Sequence, residues 1–250
     1  MRSILNSVDE DYITYLSEKR DVSAEVIRSA YLKVRHTHKF SDRNFGTLAR
    51  VIHDLFAPVY GEETEASLHE THKFHAALHI YRHIGYSYYK LPRYGLLAKY
   101  ILEEMDTSKP VTVIDYGCGL GYVPWAMHAQ HEDCQIYLVD MDAGVLDFAA
   151  WRFTRHGIPH TAIPVTARDP YPAMPPHNVC LAVESMEHIR EPVRAFTNIH
   201  AAMEMGGLLA GNFKDHGAQF LHISTDLSGL RAAVNAHYVA VNPKIYRKVS

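Results

Sequence analysis

A chain of 250 residues with 47% hydrophobic content can bury one substantial core, or a core with a helical appendage, and is too short for two equal domains. Its formal net charge of −3 and pI near 6.6 exclude a global attraction to nucleic acid or to an anionic membrane. No segment approaches the roughly 20 apolar residues of a membrane span, and the N-terminus lacks a signal peptide's apolar stretch, so a cytoplasmic location is expected.

Residues 1–90 show helical periodicity with turn signals at Ser41-Asp42-Arg43-Asn44 and from Pro58 to Gly61, and are read as a helical N-terminal region that supplies a substrate pocket or lid. The chain holds 18 histidines, and His69, His72, His75, His79 and His83 recur three or four apart. On a helix these five share an arc of about 120°. Imidazoles so spaced can ligate zinc, iron or copper, but the stripe holds no Asp or Glu, and it is read first as a polar face that lines a substrate pocket or a contact in a homo-oligomer, with a metal or plain surface as the alternatives. His36 and His38 lie earlier, and Tyr81, Tyr86, Tyr88, Tyr89 and Tyr94 form an aromatic cluster with Arg82 and Arg93.

The second region, residues 91–250, opens with a helix over Leu91 to Met105. After Pro110 the β-branched run Val111-Thr112-Val113-Ile114 suits a strand covered on both faces, and it breaks at Asp115 into Gly117, Gly119 and Gly121. Glycines at alternate positions allow a tight turn and close approach of a ligand to the backbone. Asp140 closes the next apolar run, Gln135 to Val139, where nucleotide-binding sheets place a ribose-binding carboxylate. A dinucleotide fingerprint wants a small residue where Tyr122 stands, which weakens a pyrophosphate reading.

Further strands are expected at Ala162 to Thr166, Val179 to Glu184, Leu208 to Phe213, His237 to Val241 and Ile245 to Val249, with a helix from Val193 to Met205 ended by Gly206-Gly207. Only Asn242-Pro243-Lys244 separates the last two strands, too short for a parallel crossover, so they form an antiparallel hairpin. The predicted fold is α/β: a seven-stranded, mainly parallel Rossmann-like sheet with a C-terminal antiparallel hairpin. Cys118, Cys134 and Cys180 lack metal-ligand spacing and are read as reduced core residues.

The Asp115-to-Gly121 run resembles motif I of the class I S-adenosylmethionine-dependent methyltransferases, and the stretch from His177 to Pro192, with Glu187-His188 after an apolar strand, is similar to their fourth strand and the loop beyond it. The resemblance covers about Leu91 to Ser250. It implies S-adenosylmethionine as cofactor, with Asp115, Gly117, Cys118, Gly119 and Gly121 around its methionine part, Asp140 on the ribose and Met141 against the adenine. The family carries an acid near the adenine amino group where this chain has Thr166 and Ala167, followed by Arg168-Asp169.

Glu184, Glu187 and His188 make an ExxEH pattern, with Glu184 also expected beside the cofactor. Two carboxylates and an imidazole can hold Mg²⁺ or a similar divalent ion that acidifies a substrate hydroxyl. This resembles small-RNA terminal 2′-O-methyltransferases and ubiquinone-pathway O-methyltransferases, and His216 or His222 would complete the set. Without a metal, Glu187 or His188 serves as general base. The resemblance implies methyl transfer to oxygen or nitrogen of a small-molecule acceptor. The alternatives are an RNA 2′-O-methyltransferase, disfavoured by charge, and a non-catalytic S-adenosylmethionine- or metal-binding regulatory subunit.

Overall fold

The computed structural model describes residues 2–20, 23–37, 80, 84, 92–141, 144–166, 168–215 and 223–250. The histidine stripe, His38 and the aromatic cluster other than Arg93 and Tyr94 lie outside them. Helices α1 (Arg2–Arg20) and α2 (Ala24–Thr37) come first, then α3 over residues 92–103. An alternating sequence follows: β1 (Val111–Tyr116), α4 (Tyr122–His128), β2 (Cys134–Met141), α5 (Gly144–Arg155), β3 (His160–Val165) and β4 (His177–Ala182). The chain ends with α6 (Pro192–Ala202), β5 (Met203–Gly211), α7 (Ser228–His237), β6 (Tyr238–Asn242) and β7 (Ile245–Lys248). No described helix is long and apolar enough to cross a membrane.

The seven strands form one sheet in the order β3-β2-β1-β4-β5-β7-β6. All neighbours are parallel except β5 with β7 and β6 with β7, as the short Asn242-Pro243-Lys244 connection requires. Because side chains alternate across a strand, Val113, Leu138 and Leu181 face one layer while Ile114, Val139 and Cys180 face the other. All six are fully buried, and each apolar side chain so covered contributes roughly 1.5–3 kcal/mol. One layer holds α1, α4 and α5; the opposite layer holds α6 and α7. The three cysteines are buried and free. Exposed β3 tolerates Pro164 because it is an edge strand, where a missing N–H costs no ladder bond.

One expected boundary is displaced. The helix after β4 stops at Ala202, and Met203 already pairs with His177 in a strand that shifts register before Val179. Gly206-Gly207 therefore sits inside β5. A side chain at Gly207 would lie 2.9 Å from the Glu204 carbonyl oxygen and 3.1 Å from that of Asn178, so the glycine allows a bulged strand to close on its neighbour. The Lys248 ammonium donates to the His200 and Met203 carbonyls, 2.8 Å each, satisfying the end of α6 from the last strand. The strand assignments for β2, β3 and β4 each begin one or two residues earlier than read from periodicity, as frayed ends commonly do.

Candidate active site

Chain direction across the sheet reverses between β1 and β4: the first three strands run outward to one edge, and β4 starts the other side. Open α/β sheets bind ligands at the carboxyl ends of the strands at such a point. The glycine loop and the turn after β4 meet there.

Gly117 has φ +75, and a side chain on it would place Cβ 2.4 Å from that of Ser185. Gly121 has φ +67 and would meet the Phe153 ring at 2.7 Å. Two of the three glycines are thus demanded by protein packing as well as by backbone conformation. Gly119, at φ +50, shares the left-handed backbone. The loop is tied to β2 by the Gly117 and Cys118 amides, which donate to the Val139 carbonyl at 2.8 and 3.0 Å.

Asp140, the last acid of β2, is already oriented. One carboxylate oxygen accepts from the Gly119 amide and the other from the Met141 amide, 2.8 Å each. A carboxylate oxygen accepts more than one bond, so both retain capacity for a pair of vicinal hydroxyls. Burial pushes the Asp140 carboxyl above its ordinary range, while those two amides and the field of His188 oppose the rise. Met141 beside it is 63% exposed, leaving an apolar side chain open next to the Asp140 carboxyl. Asp115 is buried, and desolvation together with the neighbouring Asp140 holds its carboxyl well above the usual carboxylate range.

Beyond β3, the Thr166 hydroxyl accepts from the Asp169 amide at 3.0 Å and the Thr166 amide donates to the Asp169 carbonyl at 3.1 Å. This closed turn engages both backbones and leaves the Asp169 side chain exposed. Ala167 lies outside the described residues.

The ExxEH residues diverge. Glu184 is exposed and has a left-handed φ of 54, a strained conformation for a residue with a side chain. The 3-10 turn Met186–His188 buries Glu187 to 2% exposure and turns His188 outward. The Glu187 carbonyl accepts from the Ile223 and Ser224 amides at 2.9 and 3.0 Å, so this residue anchors the segment entering α7. Among the described residues no three His, Cys, Asp or Glu side chains gather as a metal site. The expected metal set of Glu184, Glu187 and His188 is therefore not assembled by the spacing alone: one of its members points into the core. His216 and His222 lie outside the described residues.

A cleft of about 580 Å³ opens beside Glu184. It lies between α3 and the carboxyl ends of β4 and β5, and the β6–β7 turn closes its far side with Asn242, Pro243 and Lys244. Tyr94 lines it and stacks on Tyr122 at a ring separation of 6.3 Å, linking the cleft to the first residue of α4. Desolvation, then the carboxylates of Glu184 and Asp115, drive the Tyr94 phenol upward, so it stays protonated as a hydrogen-bond donor. Sequence spacing singled out Arg93 and Tyr94 but not Asn212 or Lys244. The latter pair reach the site only through strand order.

Residues 114–209 match a family described as a methyltransferase domain. No curated protein sequence gives a significant match. Solved structures with a similar fold include an O-methyltransferase from neocarzinostatin biosynthesis in complex with S-adenosyl-L-homocysteine and 1,4-dihydroxy-2-naphthoic acid. That match has 16% identity, a TM-score of 0.54, and covers 84% of this chain and 70% of the other. An O-methyltransferase family protein from Burkholderia thailandensis matches at 11% identity and a TM-score of 0.52, covering 84% and 71%. The mitomycin 7-O-methyltransferase matches at 16% identity and a TM-score of 0.51, covering 82% and 65%. The chain thus spans less than two thirds of the mitomycin enzyme, and 58% of a [4+2]-cyclase that it also matches. At these identities the likeness is one of fold. The family match lies over the glycine loop, Asp140 and the turn after β4, so this stretch of the chain is similar to a methyltransferase domain.

Proposed function

We propose that this chain transfers a methyl group from S-adenosylmethionine to an oxygen or nitrogen of a small-molecule acceptor held in the cleft beside Glu184. The observation that carries the reading is the junction itself: the ribose-competent Asp140 and the glycine loop lie on one side of the turn after β4, and the 580 Å³ cleft lies on the other. A cleft of this size suits a small molecule. The neocarzinostatin enzyme, whose structure contains a dihydroxynaphthoic acid, is a fold neighbour consistent with such an acceptor.

The sulfonium of S-adenosylmethionine supplies an electrophilic methyl group, open to in-line displacement. The protein's task is alignment and removal of the acceptor proton. Glu184 lines the cleft and His188 faces the Asp140 side of the turn, so these two are the proton acceptors in reach; Glu187 acts by holding the turn. Arg93 and Tyr94 of α3 form the wall of the acceptor cleft, and the N-terminal region would complete its lid. The reading does not require a metal held by Glu184, Glu187 and His188.

Titration calorimetry with S-adenosylmethionine and S-adenosylhomocysteine tests the donor half. Binding of both is expected, with a loss of at least about tenfold in Asp140→Ala, the scale of a missing charge-assisted hydrogen-bond pair. Absence of binding to either ligand sinks the reading. Methyl transfer to a panel of phenols and amines, with and without chelator, tests the acceptor half; turnover that vanishes with chelator would restore a metal to the site. Donor binding with no turnover on any acceptor would favour a regulatory subunit.

A further inference from the structure

Among its described lining residues the cleft carries an unbalanced set of charges. Arg93 enters its lining from α3 and Lys244 from the β6–β7 turn, against one carboxylate, Glu184. Most of the remaining lining is apolar or aromatic, with Tyr94, Leu97 and Pro243 among it. Both cations are exposed, and neither has an ion-pair partner among the described residues. Four other accessible arginines are paired, Arg28 with Glu10, Arg194 with Glu191, Arg231 with Asp215 and Arg247 with Glu104, at 2.6 to 3.4 Å, while Arg168 and Arg190 are exposed without an ion-pair partner among the described residues and line no part of the cleft. Two cations left unpaired on the walls of an apolar cleft are the complement of an anionic ligand.

We infer that the cleft selects an acceptor that is mostly apolar and carries a carboxylate, gripped by Arg93 and Lys244. This rests on the reading of the cleft as the acceptor site. A guanidinium fork matches a carboxylate with two parallel hydrogen bonds, and the lysine adds a point charge from the opposite wall. Glu184 repels the same carboxylate, so the acceptor enters with its anionic end away from the turn after β4 and its nucleophile toward it. Attraction on one wall and repulsion on another set orientation as well as affinity.

The test uses the full chain loaded with S-adenosylhomocysteine, whose own binding is measured first. Biphenyl-4-carboxylate and its neutral isostere biphenyl-4-carboxamide are then titrated in. The carboxylate is expected to bind at least about tenfold more tightly, and the preference should shrink as salt is raised. In the double variant Arg93→Gln/Lys244→Gln the preference should disappear, the carboxylate losing at least about tenfold more affinity than the carboxamide, while S-adenosylhomocysteine still binds. Equal binding of the two probes, binding of neither, or a preference that survives in the variant overturns the inference. Failure of S-adenosylhomocysteine to bind counts against the methyl-transfer reading instead, and the same pair titrated into the unloaded chain still decides the charge preference.

Discussion

Asp115 illustrates how a single buried carboxyl at the head of the glycine loop costs stability. Its carboxyl is buried at the end of β1 and pushed well above the ordinary value of 3.8 by desolvation and by Asp140. A carboxyl whose pKa is raised on folding binds its proton more tightly in the native state. Stability from that proton is fully present below 3.8 and is lost as pH rises to the native value. Asp115→Asn removes this loss. The variant is expected to melt at a higher temperature than the parent at pH 8, with the gap closing toward pH 4, while its affinity for S-adenosylmethionine falls. A melting temperature below the parent at pH 8 would show that the carboxylate makes compensating contacts.

At the scale of elements, α1 is fastened to α5 by a buried ion pair that no local pattern announces. The Arg152 side chain is fully buried and donates to Asp11 at 2.9 Å, and His156 lies 3.0 Å from both oxygens of the same carboxylate. The guanidinium also stands over Trp125, 4.2 Å from the ring centre, and over Tyr122 at 5.4 Å. Those rings belong to α4, which begins immediately after Gly121, so the N-terminal helix is coupled through one arginine to the element that follows the glycine loop. Breaking a buried pair leaves an uncompensated charge and costs about 3–5 kcal/mol, whereas replacing both partners by apolar residues is far less costly. Urea denaturation should therefore show a loss of about that size in Asp11→Ala and recovery of most of it in Asp11→Leu/Arg152→Met. Equal losses in the two variants would show that the pair itself, rather than the isolated charge, dominates.

At the scale of the whole molecule, two groups of titratable side chains among the described residues sit at opposite ends of the sheet. The carboxylates Asp115, Asp140 and Glu184 lie at the carboxyl ends of the parallel strands, and a basic cluster of His177, His200, His237 and Lys248 lies at the other. Burial lowers the His177 pKa from 6.5, with Lys248 adding to the effect and the Pro175 carbonyl opposing it. Burial, then Lys248 and His237, lower that of His200. For a depressed pKa the unfolded chain takes up the proton first. The stabilisation present above pH 6.5 is therefore lost as pH falls through the native values. Urea midpoints should drop between pH 8 and pH 5, and His177→Phe should flatten that slope; an unchanged slope would assign the acid loss to other groups.

What could be read directly from the residues was what depends on near neighbours. The glycine loop and Asp140 declare themselves because left-handed φ and a strand-ending acid are local demands, and the three-residue link before Ile245 permits only an antiparallel return. The same locality explains the helix end placed too late: Gly206-Gly207 looks like a stop, but Met203 is drawn into β5 by pairing with His177, a contact invisible to periodicity. Only tertiary structure decided which members of ExxEH face the site, since one 3-10 turn buries Glu187 and exposes His188. It alone assembled the cleft, bringing Arg93, Glu184 and Lys244 together from α3, the turn after β4 and the terminal hairpin. Backbone conformation is set within a few residues along the chain, whereas burial direction and charge complementarity are set by whatever the sheet order places alongside.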